Sequence, residues 1–172
     1  MTLAKRKILI MVEELYNDRE FWYPYYRLLE EGAQVQVVAP RADKIYTGAA
    51  GIKAKSDLAA DQANPADYDA LVIPGGYAPD HMRRHPAMVR LVSDMAGQDK
   101  VVAAICHAGW MLASAGVLKG RTVTGFFAIK DDLVNAGAAY VDREVAVDGK
   151  IITSRTPDDL PAFLKAIIAS LA

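Results

Sequence analysis

The 172-residue chain is 52% hydrophobic and 24% charged, with 20 basic and 21 acidic residues and a formal net charge of −1. That composition fits one ordinary globular domain with a sizeable core, and the balanced charge offers no electrostatic basis for binding nucleic acid or an anionic membrane. A single cysteine, Cys106, excludes an internal disulfide framework and suits a reducing compartment.

The N-terminal apolar run, Ile8 to Val12, is too short for a signal-peptide core, and no run is long enough to span a bilayer, so the chain is expected in the cytoplasm as a single domain over 1–172. Lys7 to Val12 predicts a first buried strand. A helix should then run from a cap at Asn17 or Asp18 to Glu31, with Gly32 ending it and Phe21, Trp22, Tyr25, Leu28 and Leu29 facing inward. Pro24 restricts where that helix can start. Gln34 to Ala39 is a second strand, and the β-α-β order implies a right-handed crossover in a parallel sheet. Ile45 to Leu58 reads as a small hairpin or flap. Ala70 to Ile73 is an all-apolar strand that runs into Pro74-Gly75-Gly76. Short and longer helices follow at Asp80–Arg84 and Pro86–Ala96.

Val101 to Ile105 is again apolar throughout, then Cys106-His107-Ala108-Gly109 leads into a helix that stops at Gly116. Arg121 to Thr124 predicts a short strand and Ile129 to Gly137 a short helix. Glu144–Val147 and Lys150–Ser154 pair across Asp148-Gly149. Pro157-Asp158-Asp159 opens a final amphipathic helix. Together these elements make a three-layer α/β/α sandwich around a mainly parallel sheet.

In open parallel sheets, ligands bind beyond the carboxyl ends of the strands. Three such ends are distinctive here: the acidic loop Glu13 to Glu20, the Gly75-Gly76 turn, and Cys106-His107. A thiol at a strand-to-helix turn meets free N–H groups, which predicts a lowered pKa and a nucleophile. His107 is a candidate general acid/base. Gly75-Gly76 is either a tight turn or an oxyanion hole. The acids of Glu13 to Glu20 read mostly as solvated loop charges, with at most one or two facing the site. Asp131-Asp132 and Asp158-Asp159 read as helix N-terminal charges. His81 and His85 are four apart but lack further ligands nearby, so no metal and no cofactor is expected. No histidine follows His107, which excludes a triad built on a distal histidine.

Over nearly its whole length the sequence resembles the PfpI/ThiJ superfamily, in the branch named for an intracellular protease. The resemblance rests on Glu20 four residues before Pro24, Asp69-Ala70-Leu71-Val72-Ile73-Pro74-Gly75-Gly76, Ala78-Pro79-Asp80, Ala104-Ile105-Cys106-His107, Ser114-Ala115-Gly116-Val117-Leu118, and Thr153 to Leu160. It implies a flavodoxin-like, class I glutamine amidotransferase-like sandwich. It also implies that Cys106 is an elbow nucleophile in a strained backbone, with Glu20 hydrogen-bonded to it. Gly75, Gly76 and the His107 amide would form the oxyanion site, and Asp80 would reach His107 from a neighbouring subunit of a homodimer or homohexamer. Relatives with a histidine or tyrosine near Phe126-Phe127 differ from this chain, whose pocket should be more apolar. The expected activity is a stress-related, cysteine-dependent attack on reactive carbonyls, of the glyoxalase or protein-deglycase kind. The alternatives are a cysteine peptidase or amidase with a peptide-like substrate, or a redox sensor or chaperone that uses oxidation of Cys106.

Overall fold

The computed structural model describes residues 2–172. The first β-α-β unit is β1 (Lys7–Met11), α1 (Asp18–Glu30) and β2 (Gln34–Ala39). A flap follows, made of β3 (Ile45–Thr47) and β4 (Lys53–Lys55), and then a short edge strand, β5 (Leu58–Ala59). Next come β6 (Ala70–Ile73), α2 (Ala78–Met82), α3 (Pro86–Gly97), β7 (Val101–Ile105) and α4 (Gly109–Ser114). The last third holds β8 (Thr122–Val123), α5 (Lys130–Asn135), β9 (Ala139–Tyr140), β10 (Val145–Asp148), β11 (Ile151–Ser154) and α6 (Leu160–Leu171).

Seven strands form one sheet in the order β10-β11-β7-β6-β1-β2-β5, parallel except for the β10–β11 hairpin. From the centre, β1–α1–β2 steps one way across the sheet, while β6–α3–β7 steps the other way. Right-handed crossovers therefore put α1 and α3 on opposite faces. α6 packs beside α1 on one face, and α4 beside α3 on the other. Every residue of β6 and β7 is buried, as expected for central strands covered on both faces. The expected three-layer α/β sandwich is the fold observed.

Several local expectations shift. The strand expected over Arg121–Thr124 is only Thr122–Val123, and it pairs with β9 in a separate two-stranded sheet. Two residues are too few to display a strand period, so Ala139–Tyr140 carried no sequence signal. The short helix expected from Asp80 starts at Ala78, because Pro79 is suited to a first helical turn. Pro24 lies inside α1, and the buried stripe there is Phe21, Pro24 and Leu28. Leu29, expected to face inward, is exposed beside the outward Tyr23 and Tyr26.

The acidic loop departs most from expectation. Glu13, Asp18 and Glu20 are all buried. Asp18 accepts the N–H groups of Ala50 at 2.7 Å and Ile52 at 3.0 Å. Glu14 accepts the Thr47 N–H at 2.9 Å. These carboxylates fasten the β3–β4 flap to the first loop, so they are structural acceptors rather than solvated charges.

Candidate active site

The carboxyl ends of β1, β6 and β7 meet where the strand order reverses, and each delivers one part of a site. Cys106 follows β7 directly and opens a single 3-10 turn that continues into α4. Its φ is +61°, in the left-handed region that costs a non-glycine residue about 1–2 kcal/mol. The surrounding structure holds it there; one fastening is the Phe126 N–H donated to the Cys106 carbonyl at 3.2 Å.

Glu20 sits in the first turn of α1, whose start is capped by Asn17 Oδ1 accepting the N–H groups of Arg19 and Glu20. The loop before it is stitched to the Gly75-Gly76 turn by Asn17 N–H to Gly75 O at 3.1 Å and Tyr77 N–H to Leu15 O at 3.0 Å. That register carries the fully buried Glu20 side chain to the thiol. The Gly75 N–H donates to Glu20 Oε2 at 2.7 Å. It is therefore not free to serve an oxyanion, which corrects the role expected for Gly75. The N–H groups that face the thiol are those of Gly76 and His107.

Gly75 is required by space. A Cβ there would lie 2.7 Å from Glu20 Oε2, 2.8 Å from Cys106 Cβ and 2.9 Å from the Ile105 carbonyl. Gly75→Ala is expected to cost roughly 1–3 kcal/mol through this overpacking, read as a lower urea midpoint. Unchanged stability would mean that the three groups move apart freely.

Burial dominates the electrostatics. It pushes the Glu20 carboxyl up to about 7, against the opposing pull of the Gly75 N–H and the Cys106 thiol. Glu20 Oε1 has no hydrogen-bond partner, so carboxyl and thiol interact without closing a full hydrogen bond. Burial also pushes the Cys106 thiol up to about 12, helped by the Glu20 negative charge and opposed by the His107 and Gly76 N–H groups. The sequence predicts the opposite sign, because proximity to N–H groups is legible in a turn motif and enclosure is not. The second cause vanishes when Glu20 is protonated, and the acid can then donate to a thiolate. Glu20 and Cys106 thus act as a coupled pair.

His107 Nδ1 lies 3.3 Å from Cys106 Sγ. Burial lowers the imidazole pKa, which keeps the ring neutral near pH 7 and able to take the thiol proton. The ring packs between Trp110 at 5.1 Å and Phe126 at 4.7 Å between centroids. Trp110 is itself anchored by its Nε1–H to Asp132 at 2.7 Å. Asp132, expected only as a helix-terminal charge, thus orients the wall of the site, a pairing across 22 residues that no local pattern announces. Asp159 likewise holds Arg155 at 2.9 and 3.0 Å.

Asp80 is not brought to His107 within the chain; its carboxylate is bound by Arg84 on the following turn. His81 meets the Tyr77 ring edge to face, and His85 Nε2 lies 3.4 Å from Glu13 Oε2, so the two histidines do not converge. Among the described residues no group of three or more His, Cys, Asp or Glu side chains is placed to hold a metal ion. No helix among them is long and apolar enough to cross a membrane.

The profile of the DJ-1/PfpI family matches residues 6–170. This chain belongs to the DJ-1/PfpI family. It is 44% identical over 165 residues to the deglycase PfpI of Pyrococcus furiosus, covering 96% of this chain and 99% of that one. It is 40% identical over 158 residues to the putative cysteine protease YraA of Bacillus subtilis, covering 92% and 94%. Among solved structures it superposes with a TM-score of 0.96 on a two-domain protein from Anabaena variabilis that joins a DJ-1/ThiJ/PfpI-like domain to a ferritin-like one. The identity there is 42%, and the match spans 97% of this chain but only 48% of that protein. Deglycase is thus a name carried within the DJ-1/PfpI family by a close relative of nearly equal length.

Proposed function

We propose that this DJ-1/PfpI protein is a cysteine-dependent enzyme acting on reactive carbonyls, of the glyoxalase or protein-deglycase kind, with Cys106 as nucleophile. The observation that carries this reading is the arrangement around one thiol: a strained φ of +61° at Cys106, His107 Nδ1 at 3.3 Å, and a buried Glu20 raised to about 7. The similarity to the deglycase PfpI supports the same substrate class.

For a 2-oxoaldehyde the steps follow from these groups. His107 takes the Cys106 proton as Sγ bonds to the aldehyde carbon, and the developing oxyanion faces the Gly76 and His107 N–H groups. Protonation of that oxygen gives a hemithioacetal. Transfer of the hydroxyl proton to the ketone oxygen, with removal of the hydrogen on the same carbon and its return to the former ketone carbon, gives a thioester. Glu20, poised near neutrality, is suited to shuttle that proton. Water then cleaves the thioester, releasing a 2-hydroxy acid and restoring the thiol. A hemithioacetal or hemiaminal adduct on a thiol or amine presents the same carbon, with the thiol or amine as leaving group.

Asp80 joins this scheme as an acid offered to the His107 of a second subunit. Assembly into a homodimer or homohexamer belongs to this proposal, and an apolar groove of about 570 Å³ between α1 and α6, walled by Trp22, Tyr23, Tyr26 and Leu160, offers one surface for it. A peptidase reading is favoured by one feature, the close Cys106–His107 pair, and by the likeness to YraA.

Proton NMR of the protein with methylglyoxal, in parallel with a fluorogenic peptide, separates the two. Lactate formation at a catalytic rate is expected, together with release of free amine from methylglyoxal-treated lysine. Peptide cleavage without lactate would transfer the assignment to the peptidase, and inertness toward both would remove the reading.

A further inference from the structure

A second cavity, of about 300 Å³, opens outside the Cys106 site, beyond the carboxyl ends of β1 and β2 and between the flap and α2. Arg41, Lys44 and Arg84 stand on its walls, Tyr46 lines it, and the Glu13–His85 pair closes one side. None of the residues assigned to the thiol chemistry lines it.

We propose that this cavity binds a compact oxyanion of the phosphate or phosphomonoester class. Tyr46 is fully buried, and its hydroxyl makes no hydrogen bond. Tyr46 belongs to the cavity wall, and Glu13, Glu14 and Arg41 are charged groups close enough to act on its hydroxyl. The Arg41 main-chain N–H approaches Oη without completing a bond, and the hydroxyl hydrogen has no acceptor. Buried polar groups are normally hydrogen-bonded, and among the residues lining this cavity Tyr46 is the one whose buried hydroxyl is left open.

Counting donors and acceptors identifies the partner that fits. The acids around the cavity are Glu13, Glu14 and Asp80, and each is already engaged. Glu13 Oε1 accepts the Glu14 N–H at 2.9 Å, and its Oε2 faces His85. Glu14 accepts the Thr47 N–H and pairs with Lys44 at 3.6 Å. Asp80 pairs with Arg84. The remaining capacity is on the donor side. The Arg41 guanidinium has no partner among the described residues, Arg84 commits one nitrogen of its fork, and Lys44 keeps donors beyond its contact with Glu14. A ligand for this cavity must therefore be acceptor-rich and anionic, and guanidinium forks match the geometry of phosphate oxygens. The position at the carboxyl edge of a parallel sheet is where such ligands are received.

Isothermal titration calorimetry of the full chain with inorganic phosphate and with glycerol phosphate, against sodium chloride at matched ionic strength, tests this. One saturable site is expected, weakened by about tenfold or more in Arg41→Gln and in Tyr46→Phe. Arg41 is exposed, so Arg41→Gln keeps its fold, and circular dichroism verifies both variants. Tighter glycerol phosphate binding assigns the occupant as a phosphomonoester, and tighter inorganic phosphate binding assigns free phosphate. Absence of saturable heat beyond the chloride control, or equal affinity in wild type and both variants, overturns the proposal.

Discussion

Cys106→Ala and Cys106→Gly both lose carbonyl turnover by at least ~10³-fold, because each removes the atom that forms the covalent intermediate. Their stabilities should separate in an unusual order. Alanine at φ +61° retains the clash between Cβ and its own carbonyl, whereas glycine does not. Cys106→Gly is therefore expected to be the more stable of the two by about 1 kcal/mol, the reverse of the ordinary ranking in regular structure. Urea unfolding of the pair reads this, and the methylglyoxal assay reads the activity. Residual turnover near wild type in either variant would remove Cys106 from the mechanism. Equal stability, or a more stable alanine variant, would mean that the backbone relaxes once the thiol is gone.

The second large effect concerns Glu20→Gln and depends on pH. In the folded protein burial raises the Glu20 carboxyl to about 7, from 4.5 for an unperturbed glutamate. The folded state thus binds more protons than the unfolded state between those values, and its stability falls as pH rises through them. Below 4.5 the contribution is fully present, and above about 7 it is lost. The loss is about 3 kcal/mol for a shift of this size at a fully buried group. Glutamine accepts the same Gly75 N–H through its amide oxygen and carries no charge. Glu20→Gln should therefore show no such fall and should exceed wild type in stability at pH 8 while differing little at pH 5.

The same substitution removes the negative charge that helps hold the thiol at about 12, so alkylation of Cys106 above pH 7 should be faster than in wild type. Turnover should nevertheless drop by ~10²-fold, since the amide cannot pass a proton. Iodoacetamide kinetics from pH 6 to 10 and thermal melts at both pH values check these signs. Slower alkylation in the variant would show that Glu20 assists the thiolate through its proton more than it opposes it through its charge.

The elements most legible in the sequence were those whose local pattern has a single physical meaning. Ala70–Ile73 and Val101–Ile105 are unbroken apolar runs, and both form fully buried central strands. Asp148-Gly149 between alternating segments produced the one antiparallel pair of the main sheet. Gly32 and Gly116 end their helices with positive φ, as their positions predict. Chain order then restricted the topology, because short right-handed crossovers leave few ways to arrange these strands. The convergence of Glu13–Glu20, Gly75-Gly76 and Cys106-His107 followed from the same rule, since all three lie at carboxyl ends of parallel strands.

The quantities that the sequence leaves open are those set by enclosure and by distances between residues remote in the chain. Glu20 and Gly75 are 55 positions apart, and only packing brings the N–H within 2.7 Å of the carboxylate and removes it from the oxyanion site. Trp110 finds Asp132 and Asp18 finds the flap for the same reason, whereas Asp80 and Arg84 are only four residues apart. The thiol pKa shows the division most clearly. A strand-to-helix turn can be read from Cys106-His107-Ala108-Gly109 and predicts a lowered value, yet burial beside a second acid pushes it up to about 12. Backbone pattern is a local property, so the sequence determined the strands, the turns and the identity of the reactive groups. Desolvation and Coulomb energy depend on the whole surrounding volume, so only the tertiary structure decided which of those groups are charged, which donors remain free, and which acid holds the proton.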